Sequence, residues 1–107
     1  MITVTVFRSD TGTYKGFRCK GHAGFAERGQ DVVCAAVSVL VINTVNSIEA
    51  FTSQTFTCEH DEDMICLKLT AVPTKETKLL LDSMIFGLQA IQKQYQKQYL
   101  RLKFKEV

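Results

Sequence analysis

The sequence has no tryptophan, a single proline and no Cys-x-x-Cys pair. It also shows little excess of one charge: thirteen basic residues stand against eleven acidic ones, a net charge of +2. A chain built to bind nucleic acid usually carries a strong basic bias or stripe, so nucleic acid is not an expected direct partner. No basic segment precedes an apolar run near Met1, so a cleaved leader is not expected. The longest apolar run, Val32 to Ile42, is short for a bilayer span and is followed by Asn43, Thr44, Asn46 and Ser47, which reads as a core element and implies no membrane. The four cysteines, Cys19, Cys34, Cys58 and Cys66, lie at irregular spacings. Without a secretory signal such cysteines read as reduced thiols of a cytoplasmic protein. What is present is an ordinary globular composition: 107 residues, 46% hydrophobic and 22% charged. That suits one domain over 1–107 with a core of its own.

The patterning predicts an α+β fold, a five-stranded mixed sheet with two helices in the order ββαββαβ. Ile2, Val4 and Val6 alternate with Thr3 and Thr5, the period of a strand. Ser9, Asp10, Thr11 and Gly12 supply a turn, and Thr13 to Lys20 returns as the second strand of a hairpin. From Asp31 the chain is apolar almost all round for nearly twenty residues, too long for an ordinary strand, so it reads as a helix packed on more than one face. Thr55 to Glu59 and Met64 to Thr70 form a second hairpin around His60 to Asp63. Thr74 is the expected N-cap of an amphipathic helix carrying Leu81, Met84, Ile85, Leu88, Ile91 and Tyr95. Tyr99 to Lys105 alternates again, as a last strand.

Chemistry is concentrated between Gly21 and Ser38. A histidine, His22, stands at the end of a strand, and the glycine-containing segment Ala23 to Gln30 reads as a loop. If Asp31 caps the following helix, Cys34 falls at N3, near unpaired N–H groups and the positive end of the helix dipole. Such a position, or a neighbouring imidazolium, lowers a thiol pKa and makes a nucleophile. Ser38 follows one turn later on the same helix face. On spacing alone the bland alternative is favoured: a cysteine amid valines and alanines is commonly a buried core thiol, and Asp31 an ordinary cap. Cys19, His22 and Cys34 fit no standard zinc spacing; no metal and no cofactor is expected. Cys58 shares the phase of Phe56 and should face the core, whereas Cys66 is out of phase with Ile65 and Leu67, so the two should not form a disulfide. His60, in an acidic turn, reads as solvated.

The run Gly21-His22-Ala23, followed by Gly29-Gln30-Asp31-Val32-Val33-Cys34-Ala35-Ala36-Val37-Ser38, resembles the signature of the ribosomal-processing cysteine protease family, Prp. The resemblance implies a cysteine endopeptidase that removes a short N-terminal extension from the precursor of a bacterial large-subunit ribosomal protein. It assigns Cys34 as nucleophile and His22 as general base, with Gly21, Asp31 and Ser38 in supporting positions, and it implies a homodimer. The segment Ala23 to Gln30 would then close over the substrate. The competing expectation is a non-catalytic, ribosome-associated binding module of the same fold. Lys93, Lys97, Arg101, Lys103 and Lys105 read as a solvated face, or as a means of docking at a ribosome, the only route by which nucleic acid would be met.

Overall fold

In the computed structural model, residues 1–21, 28–95 and 99–107 are described, with the backbone alone for 28–31. The elements are β1 (Ile2–Arg8), β2 (Tyr14–Lys20), α1 (Arg28–Phe51), β3 (Phe56–His60), β4 (Met64–Leu69), α2 (Lys75–Tyr95) and β5 (Leu100–Glu106). The sheet runs β3-β4-β2-β1-β5. β5 lies parallel to β1, and the other neighbours are antiparallel. The expected order ββαββαβ and the mixed five-stranded sheet are therefore found, with strand ends shifted by a residue or so.

The period-two pattern does the folding work. Val4 pairs with Cys19 and Val6 with Phe17. Phe17 in turn meets Leu67, and Ile2 and Val4 meet Leu100 and Leu102. Because side chains alternate across a strand, these residues share one face, and both helices lie on it. α1 contributes Val33, Val37, Val41 and Ile48, and α2 contributes Leu81, Met84, Ile85 and Leu88, all buried. β-Branched residues are weak helix formers, so α1 depends on this burial, worth roughly 1.5–3 kcal/mol per large apolar side chain. Thr44 lies in the same buried stripe and is satisfied locally, its hydroxyl donating to the Leu40 carbonyl at 2.8 Å. By length and composition Val32–Phe51 would also pass for a membrane span; here its inner stripe is packed into the core.

The expected cap of α2 is present: the Thr77 N–H donates to Thr74 Oγ1 at 3.0 Å. Buried Gln54 ties this start to the preceding hairpin. Its Oε1 accepts from the Thr74 N–H at 2.8 Å, and its Nε2 donates to the carbonyls of Thr55 and Ala71 at 3.3 Å each.

The first helix departs from the sequence expectation. It begins at Arg28 rather than after Asp31, so Asp31 lies within it and is not its N-cap. Gly29 costs about 1 kcal/mol in a helix, and the buried valine stripe downstream outweighs that cost. A second correction concerns Cys58. It points to the helix side of the sheet, opposite Leu67, yet it is exposed, because β3 is the edge strand and the core does not extend over it. Cys66 faces the other way and is buried. All four cysteines are free.

Candidate active site

Three of the five residues singled out by sequence lie in the described part of the structure with their side chains or full backbone: Gly21, Cys34 and Ser38. His22 and the segment 23–27 fall outside the described residues, as does the side chain of Asp31.

Gly21 ends β2 with φ +90°, a region that L side chains rarely adopt. A Cβ there would sit 2.5 Å from the Met1 carbonyl oxygen. Its N–H donates to the Asp63 carbonyl at 2.9 Å, which ties the strand end to the β3–β4 turn. Cys34 is half-buried on α1 and packs against the core cluster. Since α1 starts at Arg28, Cys34 is its seventh residue. The unpaired N–H groups are confined to the first turn, so Cys34 does not stand at the N3 position expected from the sequence.

Ser38, one turn further along α1, opens onto a cleft of about 90 Å³. Cys19 and Gly21 from β2, Ile42 from α1 and the turn from His60 to Ile65 form its other walls. His60 is exposed, as expected, but its place in this wall was not foreseen. Nothing in the local sequence signals it. The register of β2 with β4, Cys19 opposite Ile65 and Lys20 opposite Met64, brings the turn there. Asp61 shapes the turn by accepting the Asp63 N–H at 3.0 Å, and backbone and side-chain hydrogen bonds from Asp63 hold its carboxyl below the ordinary range.

The two thiols nearest the motif differ in kind. Cys19 is buried, and desolvation, with a smaller contribution from neighbouring Cys34, pushes its pKa up to about 11. It is a protonated core thiol at neutral pH. Cys34 is only half-buried.

The model of the family described as "Cysteine protease Prp" matches residues 1–100. The chain belongs to this family. The ribosomal processing cysteine protease Prp of Staphylococcus aureus is 33% identical over 107 residues, covering 98% of this chain and 100% of that protein. Its Bacillus subtilis counterpart is 32% identical over 101 residues, covering 89% of this chain and 90% of the other. The crystal structure of S. aureus Prp with a substrate peptide superposes with a TM-score of 0.90 at 30% identity, covering 98% of this chain and 100% of that one. A second S. aureus Prp structure, with a covalently linked product peptide, gives 0.87 at 31% identity over the same shares. The Prp chain described here is thus a cysteine protease, and the expectation of a non-catalytic module is set aside.

Proposed function

We propose that this Prp is the endopeptidase that removes a short N-terminal extension from a large-subunit ribosomal protein precursor in the cytoplasm. What carries the reading is end-to-end similarity to S. aureus Prp, a ribosomal processing protease crystallised with substrate and product peptides. The half-exposed Cys34, one helical turn before Ser38 at the cleft, is consistent with it. Four free thiols suit a reducing compartment.

In the proposed reaction His22 takes the proton from Cys34, and the thiolate adds to the scissile carbonyl. Protonated His22 then gives that proton to the leaving amine as the C–N bond breaks. Water, deprotonated by His22, hydrolyses the thioester and restores the thiol. Helical N–H groups at Cys34 are engaged within α1, so the Ser38 hydroxyl serves as a polar contact for the bound peptide.

A homodimer is part of the proposal. The outward faces of α1 and α2 carry Val32 and Val39, and Leu79 and Phe86, with Val39 69% and Phe86 77% exposed. Exposed apolar stripes of this kind mark association surfaces.

The test is cleavage of the ribosomal-protein precursor by wild type, Cys34→Ala and His22→Ala proteins, with products weighed by mass spectrometry. One cut by wild type alone is expected. Undiminished cutting by either variant would remove that residue from the mechanism, and no cut by folded wild-type protein would remove the substrate assignment.

A further inference from the structure

The sheet has two faces, and only one is covered by helices. On the other, the parallel pairing of β5 with β1 sets Arg101, Lys103 and Lys105 opposite Thr3, Thr5 and Phe7. The antiparallel pairing of β2 sets Arg18 and Lys20 opposite Thr5 and Thr3, and β4 adds Lys68 opposite Gly16. Six cations from three strands therefore share one open surface. All six are exposed, and among the described residues none makes an ion pair. The one acidic strand residue on this face is Glu59, on the β3 edge opposite Cys66. Thr5 and Cys66 are buried although they belong to this face, as expected where long Arg and Lys stems lie across a sheet with their charges in water.

We infer that this open face docks RNA through its phosphate backbone. Charge complementarity selects the partner class. Alternate residues along β5 place cations in steps of about 6.6–6.8 Å, and β1, with no cation on this face, sets that row about two strand spacings from the cations of β2, so the charges line a repeating polyanion on both sides. The Arg18 guanidinium lies over the Phe7 ring, 5.8 Å from its centroid, so the surface also offers planar groups on which a base can stack. It lacks the cluster of exposed large apolar side chains that anchors a protein partner or inserts into lipid. The cleft at Ser38 opens on the helix side of β2, so RNA on the open face leaves it free. The inference does not depend on the peptidase reading, because binding is measured on an inactive protein.

The experiment is fluorescence polarisation of labelled oligouridine against the full-length Cys34→Ala chain over a range of salt concentrations. Binding that weakens steeply with salt is expected. The Arg101→Gln/Lys103→Gln/Lys105→Gln variant should bind at least about tenfold more weakly, with a log–log salt slope reduced by about 2, since each single-strand phosphate contact contributes roughly 0.7. Lys75→Gln/Lys93→Gln on α2 should bind as the parent does. The same triple change in the active enzyme should leave peptide cleavage intact, which separates this surface from the cleft and verifies folding. No binding, binding insensitive to the triple change, or equal affinity for polyglutamate or phosphatidylglycerol vesicles would overturn the inference.

Discussion

Gly21→Ala is the most informative single change outside the reacting groups. The methyl group would adopt φ +90°, which costs roughly 1–2 kcal/mol for an L residue. It would also meet the Met1 carbonyl oxygen at 2.5 Å, a contact with backbone that no rotamer change relieves. Relieving it by moving the strand end adds about 1–3 kcal/mol, the usual cost of overpacking. The expected total is about 2–5 kcal/mol, a large share of a small domain's stability. Urea unfolding followed by circular dichroism measures it. With a slope of about 1–3 kcal/mol/M for a chain of this size, the midpoint should fall by at least roughly 0.7 M. The movement would also strain the Gly21–Asp63 hydrogen bond, so catalysis per folded molecule should drop as well. A loss below about 1 kcal/mol would show that the strand end relaxes freely, and the account of Gly21 as a fixed corner would be wrong.

Three further outcomes follow from the same structure. The Tyr14 hydroxyl donates to Asp82, and burial followed by that bond pushes its pKa up to about 12. The stability this gives is complete below the unfolded value near 10 and drains away as pH rises towards 12, so Tyr14→Phe should flatten the alkaline limb of a stability–pH curve. The Tyr14 bond, with Lys78 second, holds Asp82 low, a contribution present above the unfolded carboxyl pKa and lost as pH falls through the folded one. Thr74→Ala should cost about 1 kcal/mol in chemical denaturation, as N-cap losses do; an unchanged midpoint would mean Gln54 alone holds that turn. In native protein at pH 7, iodoacetamide should leave Cys19 unmodified while reacting with exposed Cys58, read by peptide mass mapping; rapid labelling of Cys19 would contradict its burial.

Much of this fold is legible from local pattern. Ile2, Val4 and Val6 declare a strand face, Thr74 declares a helix start, and both are found. The start of α1 was misplaced because Gly29 and Asp31 are strong local signals, and the valine stripe that overrides them acts only through contact with the sheet. Cys58 has the phase of a core residue, but phase does not reveal that its strand is at the edge. The acidic turn beside Ser38 and the basic open face share a deeper reason for being hidden. The turn is contiguous, and so are Arg101 to Lys105, but the neighbours each acquires come from pairings between segments far apart in sequence. The residues of the motif were legible as a resemblance; the register that builds a cleft around them was not.

The pairing of β1 with β5 bears on how the molecule comes into being. Ile2 partners Leu100, 98 positions further on, so the hairpin of β1 and β2 can form early while one side of β1 waits for the last strand to emerge. Contacts of such long range slow folding, because chain closure must be ordered before it is rewarded. Until then β1 presents an open edge rich in threonine and valine, an invitation to the wrong strand. During synthesis, therefore, the sheet completes only when residues 100–106 are free of the ribosome. A nascent copy of this protease is held incomplete by its own topology until β5 has left the translating ribosome.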